Sequence, residues 1–496
     1  MKKRPPDIVK LDRRYVWHPF TQMRDWTRQT PIVLSSGDGA VLRDINGREY
    51  LDANSSIWTN LHGHNHPEIN LAIETQLRKV SHTSALGFAS EPASLLAEKL
   101  VMLAGKAPKS STKKSPTALK PSDLKNPRLT KVFFSDDGST AMEVALKLAY
   151  AFAIRSGAAK KPRFLSLQGA YHGDTVGAVA LGHIDLFHKA YSGLLFKSDH
   201  VMAPYCYRCP FNRAAPERAD ARSCRKCNHE CLDLVEKKFA AQTKRGAPYA
   251  GFIFEPLMQG AAGMIPQPAG WLNRVSQIAR AHKTKLIADE VMTGFGRTGT
   301  LFACHREGVQ PDFLSVAKGL TGGYMPMAAT LTTHEVFDAF LGDYTEFKSF
   351  FHGHSFTANQ LGSAASLASL DILTRDESQL SRAALAQALH EEAKQLWRLP
   401  QIGDIRIEGC VAGIELVRDW KTRTAFDLRE KAGIRVCEAM ARRGVLTRPV
   451  GNVIVILPPY CTTPAQVRKI ITALSESVEE VFGGTRSHKA ARPFGH

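Results

Sequence analysis

The chain has 496 residues, 44% of them apolar and 23% charged, with a formal net charge of +18 at pH 7. That length suits two or three domains at ~150 residues each, and no apolar run approaches the ~20 residues of a membrane helix. Most of the basic excess sits in residues 2–4, 106–128 and the tail beyond Gly484, which read as solvated loops and tails rather than a nucleic-acid surface.

The opening MKKRPPDIVK is basic but leads into no apolar stretch, so no secretory signal is read and the cytoplasm is expected. Turn-rich strand signals follow at residues 33–42 and 48–52. His62, His64 and His66 have the spacing of a metal cluster. Gly63 and Pro67 lie beside them and no further ligand is in view, so a polar turn entering a helix is the better reading. Residues 104–130 are rich in Lys, Pro and Ser without apolar periodicity, the pattern of a flexible inserted loop. From Lys131 to about Ala329 the runs KVFFS, RFLSL, GFIFEP, KLIAD and DFLSVA alternate with helical patterns. Short buried strands between helices imply a mostly parallel α/β sheet, with ligands outside the carboxyl ends of its strands. The predicted division is 1–75 as the N-terminal part of a small domain, 76–359 as a large domain, and 360–496 as the rest of the small domain, where NVIVILPP is the clearest strand.

Two constellations carry chemistry. KVFFS runs into DDGS and then a helical stretch, with Thr140 and Glu143 spaced as a capping box. Gly138 permits a tight turn, and a helix N-terminus there offers N–H groups to an anion, so Gly138 and Ser139 could hold a phosphate. A plain connecting turn is the alternative. Further on, KLIAD puts Asp289 at one strand end and DFLSVAK puts Lys318 just past the next, so both open into one crevice. A lysine that forms an imine and an acid that keeps a pyridine nitrogen protonated are what pyridoxal phosphate needs. A structural ion pair is the alternative for this pair taken alone.

Residues 204–232 form a cysteine-rich insertion. Cys206 and Cys209, then Cys224 and Cys227, have zinc-like spacing, and Cys231 offers an alternative fourth ligand. A structural metal, free thiols and a redox role all stay open, and a zinc-ribbon nucleic-acid binder is the rival from a different functional class.

LIADEVMTGFGRTG followed by PDFLSVAKGLTGG resembles the signature of the class III aminotransferases, of fold type I. YVWHPFTQM, GAYHGDT, FHGHSF and LTRP narrow the likeness to the 7,8-diaminopelargonic acid synthases of biotin biosynthesis, across most of residues 11–475. The resemblance implies pyridoxal 5'-phosphate as cofactor, a large domain with a mostly parallel sheet, and a smaller α/β domain from both termini. It implies Lys318 as the imine lysine and proton carrier, Asp289 on the pyridine nitrogen, Tyr171 stacked on the ring, and Gly138 and Ser139 on the phosphate. His354 and Ser355 would reach the phosphate of a partner subunit, which makes the active unit a homodimer. Phe20, Ile57, Trp58, Tyr171, Lys318 and Gly353 would shape the substrate site, with Arg448 on the acceptor carboxylate and Arg297 near the donor. Glu255 and Gln259 would support the cofactor from behind its direct contacts. The implied reaction converts 8-amino-7-oxononanoate to 7,8-diaminononanoate, with S-adenosylmethionine as the family's usual donor and lysine as the alternative. Other ω-amino acid aminotransferases share the lysine region but lack the WHPF opening. The chain departs from the adenosylmethionine-using pattern at Phe20 (Tyr there), at Ile57–Trp58 (Trp–Trp there) and at Asp137, which replaces a serine beside the phosphate turn and should point away from it.

Overall fold

The computed structural model describes residues 7–105 and 128–483. The basic stretch at residues 2–4, nearly all of the 104–130 insertion and the basic tail lie outside them. A seven-stranded sheet forms the centre of the large domain. Its spatial order is Leu129–Ser135, Ala328–Thr333, Phe313–Val316, Lys285–Asp289, Gly251–Phe254, Phe164–Leu167 and Asp199–Val201. Only Ala328–Thr333 runs against its neighbours. The interior strands are short and, apart from Lys285, buried throughout, as expected of a sheet covered on both faces.

The two-residue period of the strands sorts their side chains between two cores. Ile253, Ile287 and Phe313 pack with Met142, Ala145, Ala149 and Phe152 of helix Gly138–Arg155. Phe252, Phe254, Leu286 and Leu314 face the other way, into the core that contains Phe239, Trp271 and Val275. The carboxyl ends of the strands are therefore fixed from both sides, and the site is built on them.

Segments from both ends of the chain meet in the smaller sheets. Strands Leu34–Asp38, Val41–Asp44 and Glu49–Asp52 form an antiparallel sheet, and Val445–Leu446 adds to it in parallel beside Glu49–Asp52. Ile402–Glu408, Val411–Asp419, Val453–Ile456 and Pro449–Val450 form a second sheet. The predicted boundary at residue 360 falls within a packed layer. Helix Gln360–Leu373 lies against Pro67–Lys79, Glu91–Ala104 and the turn Lys318–Thr321.

The cysteine-rich insertion is anchored by arginines. Arg208 pairs with Glu415, Arg222 with Asp220 and Glu408, and Arg218 donates to the carbonyls of Leu399 and Ile402. Asn212 ties the segment internally, accepting from the N–H groups of Ala214 and Lys226 at 3.1 and 2.9 Å. Its cysteines are free thiols, and among the described residues no group of His, Cys, Asp and Glu is arranged to hold a metal ion. His62, His64 and His66 form the expected turn, with His66 at the N-terminus of helix Pro67–Lys79.

Candidate active site

A cavity of about 700 Å³ opens where the strands end. Its lining includes Gly138 and Ser139 after the first strand, Tyr171 and His172 after Phe164–Leu167, and Glu255 after Gly251–Phe254. Asp289 and Lys318 complete it from the next two strand ends, and Trp58 enters from the small domain. That volume is within the usual range for cofactor sites.

The helix at the phosphate end starts earlier than its sequence suggests. Asp137, not Thr140, is the N-cap; its carboxylate accepts the Thr140 N–H at 2.8 Å, and the Thr140 hydroxyl accepts the Asp137 N–H at 2.9 Å. Aspartate in the extended conformation is a strong N-cap, so it takes the role the spacing had given to threonine. Glu143 acts elsewhere, accepting from the Thr175 hydroxyl and the N–H groups of Gly177 and Ala178 at 2.6–3.1 Å. The Asp137 carboxylate is turned back onto its own helix, as anticipated. The N–H groups of Gly138 and Ser139 have no acceptor among the described residues. The Ser139 hydroxyl meets Thr175 on both its N–H and its hydroxyl. A side chain at Gly138 would put Cβ 2.6 Å from Val291 Cγ1, so only glycine leaves the cradle open.

At the other end, Asp289 is buried and fixed by two donors. His172 Nδ1 donates at 2.7 Å and the Val291 N–H at 3.0 Å. The carboxylate only accepts, so the imidazole proton sits on Nδ1. Glu255 lies behind them, accepting from the N–H groups of Tyr171 and Gly260, and burial raises its pKa to about 7 with Asp289 adding to the rise. Lys318 has its pKa lowered by burial, against the opposing pull of Asp289 and Glu255. Its Nζ stands 5.1 Å from the centre of the Trp58 ring. Tyr171 is half-buried; its hydroxyl donates to Asp174 at 2.7 Å, and burial and that carboxylate raise its pKa.

The cavity thus gathers seven of the predicted residues: Gly138, Ser139, Tyr171, Glu255, Asp289, Lys318 and Trp58. Others stand outside its lining. Phe20 is 63% exposed with its ring against Phe187, and Ile57 and Gly353 are exposed. His354 pairs with Asp136 of the same chain at 2.6 Å, and the exposed Ser355 offers its carbonyl to His82. Arg448 is exposed just after Val445–Leu446 and makes no hydrogen bond or ion pair among the described residues. Gln259 is buried and donates to the Gln168 carbonyl. Arg297, expected near the donor, also stands outside the lining. It is fully buried, and its two terminal nitrogens donate to the carbonyls of Pro458 and Asn60 at 2.9 and 2.8 Å. A guanidinium committed to two backbone segments rivets them together. His172 and Asp174 were missed, although both lie in GAYHGDT; the polar residues after a strand end were the available signal.

The chain matches Aminotransferase class-III over residues 22–478 and belongs to that family. The adenosylmethionine-8-amino-7-oxononanoate aminotransferase of Geobacter sulfurreducens is 44% identical over 473 residues, covering 95% of this chain and 97% of the relative. The crystal structure of the Methanocaldococcus jannaschii enzyme of that name superposes with a TM-score of 0.83 at 37% identity, covering 95% and 98% of the two chains. An amine transaminase from an uncultivated Pseudomonas species, solved in the PLP-bound form, also has a TM-score of 0.83 at 30% identity, covering 94% and 98%. The residues present fit that cofactor. A glycine keeps the cradle free, two N–H groups there lack acceptors among the described residues, and a doubly held carboxylate and a buried amine line the same cavity. Among the described residues no helix is long and apolar enough to cross a membrane.

Proposed function

We propose that the chain is a pyridoxal-phosphate-dependent aminotransferase that converts 8-amino-7-oxononanoate to 7,8-diaminononanoate in the cytoplasm, as a homodimer, with S-adenosylmethionine as amino donor. One observation carries the reading: Lys318, Asp289 and the Gly138–Ser139 cradle converge in a single cavity. Pyridoxal phosphate, when bound, supplies the electron sink for amino-group transfer. Gly138 and Ser139 would hold its phosphate on a helix N-terminus. Asp289, oriented by His172, would pair with its ring nitrogen. Lys318 would hold the cofactor covalently, and its Nζ, deprotonated more readily because it is buried, would take the proton from the substrate carbon that bears the amino group and pass it to the cofactor. Arg448 carries no competing partner and would grip the acceptor carboxylate through two parallel hydrogen bonds.

The dimer is supported by what surrounds the loop bearing Gly353, His354 and Ser355. Phe351 and Phe356 on that loop are 75% and 60% exposed. His82, whose ring lies 4.7 Å from that of Phe356, leads into the equally exposed Leu86 and Phe88. A second copy covering this face would bring the loop to the neighbouring cavity.

The test is the visible absorption of the purified enzyme, followed as each donor is added without acceptor. Bleaching by S-adenosylmethionine, and recovery on adding 8-amino-7-oxononanoate, is the expected result. Bleaching by lysine alone would change the donor, which the Phe20 and Ile57 departures make worth measuring. No recovery with the oxononanoate would refute the assigned acceptor, and no absorption band after adding pyridoxal phosphate would refute the enzyme class.

A further inference from the structure

The segment that carries Trp58 has an unusual backbone. Ser55, Ser56, Ile57 and Trp58 have φ values of +47°, +50°, +69° and +73°, a left-handed turn of four consecutive residues with no glycine. Each such residue is disfavoured by contact between its Cβ and the backbone, and a branched residue such as Ile57 most of all. Left-handed residues occur singly unless the surroundings hold them, and here Asp52 and His64 provide the hold.

Asp52 is buried at the end of strand Glu49–Asp52 and receives four donors. The Asn54 N–H reaches one oxygen at 3.0 Å. The Ser56 N–H at 3.0 Å, the Ser56 hydroxyl at 3.3 Å and His64 Nε2 at 3.0 Å reach the other. The His64 tautomer follows from its second contact. Asn60 uses its Oδ1 to accept the Gly63 N–H, so its Nδ2 donates to His64 Nδ1 at 3.2 Å. The imidazole proton is then on Nε2 and points at Asp52. Inside the turn, the Trp58 indole N–H donates to Asn54 Oδ1 at 3.0 Å and the Ser55 hydroxyl to the Leu457 carbonyl at 2.6 Å.

We infer that Asp52 and His64 are positioning residues for catalysis, a clasp that holds the left-handed turn and thereby keeps the Trp58 ring over the Lys318 amine. Neither residue lines the cavity. They act through the turn, and the cofactor contacts at Gly138, Ser139 and Asp289 are independent of them. The inference rests on the aminotransferase reading of Lys318, and the donor reaction of the wild-type enzyme tests that reading separately.

The experiment measures kcat/KM for the donor half-reaction on cofactor-loaded enzyme in wild type, His64→Ala, Ser56→Gly and the double variant. His64→Ala is expected to retain its cofactor and to lose at least about tenfold in kcat/KM, the scale of one lost positioning contact. Ser56→Gly gives up the longest of the four donor contacts, the 3.3 Å hydroxyl, but removes the Cβ conflict at φ +50° and keeps the N–H donor, so the turn needs His64 less. In the double variant it should restore most of the loss, and this non-additivity is the signature of the clasp. A purely structural pair would lower thermal stability alone, with wild-type kinetics in the folded fraction and additive effects of the two substitutions. Either of those results overturns the inference. Should His64→Ala fail to fold, Asp52→Asn takes its place, because the amide keeps the shape but opposes one of the four donors. The same rescue by Ser56→Gly is then required, and its absence overturns the inference. A wild-type enzyme inert to every donor would instead refute the aminotransferase reading.

Discussion

Gly138→Ala isolates the phosphate cradle. The residue does not occupy the left-handed region, so alanine meets no backbone penalty, and the whole effect is steric. Its Cβ would lie 2.6 Å from Val291 Cγ1 and 3.0 Å from Cγ2, against a relaxed carbon–carbon separation of about 3.5–4.0 Å. Overpacking by one methyl costs about 1–3 kcal/mol when the neighbours must move. Val291 has little freedom to move, because its N–H is one of the two donors that fix Asp289. The strain therefore reaches both ends of the cofactor site. The expected result is a ~10- to 100-fold rise in cofactor Kd, measured by titrating apoenzyme with pyridoxal phosphate, since each factor of ten corresponds to about 1.4 kcal/mol. Val291→Ala removes both offending methyls, so the double variant should recover most of that affinity, as a coupled pair does in a double-mutant cycle. Unchanged affinity in Gly138→Ala, or no recovery in the double variant, would refute this account of the cradle.

Arg448→Ala should raise the acceptor KM at least ~10-fold through loss of a charge-assisted pair, with the donor half-reaction unchanged; steady-state kinetics with varied acceptor checks it. Asp312, buried and held by Arg128, Arg280 and the Leu286 N–H, should cost about 3 kcal/mol in urea unfolding when replaced by alanine, because uncompensated donors remain. Glu255 has a pKa raised from 4.5 to about 7. The folded protein binds that proton more tightly than the unfolded chain, so the associated stability is full below about pH 4.5 and is lost as the pH rises to about 7, roughly 3 kcal/mol in all. Urea unfolding of the apoprotein at pH 5 and pH 8 should therefore show a smaller pH difference for Glu255→Gln than for wild type, and equal differences would contradict the assignment.

The part of the site made by the sheet was legible because strand ends leave local marks. KLIAD and DFLSVAK each show an apolar run stopping at a polar residue, and a parallel sheet turns that into a shared crevice. What depends on long-range hydrogen bonds left no such mark. Arg297 sits in a glycine-rich loop, which suggests ligand contact, but its partners are carbonyls of residues 60 and 458. The paired cysteines suggest zinc, but the insertion is held through arginines whose partners lie some 180 residues or more along the chain. SSIW contains no glycine, so nothing local announces a left-handed turn, and the groups that secure it come from Asp52, His64 and Leu457. The sequence spacing favours Thr140 as the cap, although aspartate is among the strongest N-cap residues; local competition between two capping candidates decides that point for Asp137.

These two kinds of construction divide the site by function. The phosphate cradle, Asp289 and Lys318 are fixed by a sheet packed on both faces, so their geometry is set by the core of the large domain. Trp58 belongs to no strand of that sheet and reaches the cavity from the small domain. Its ring packs among Met258, Met264 and Met292, and its backbone is held by polar ties: Asp52 with His64, Asn54 on the indole, and Arg297 bridging Asn60 to Pro458. Changes in the first group should therefore appear mainly as loss of cofactor affinity. Changes in the second should leave the cofactor bound and appear in the kinetics of the substrates, even where the altered side chain, as at Arg297, lies outside the cavity lining. Arg297→Lys, which cannot span two carbonyls with a planar fork, should fall in the second group, with a cofactor Kd near wild type and a reduced kcat/KM.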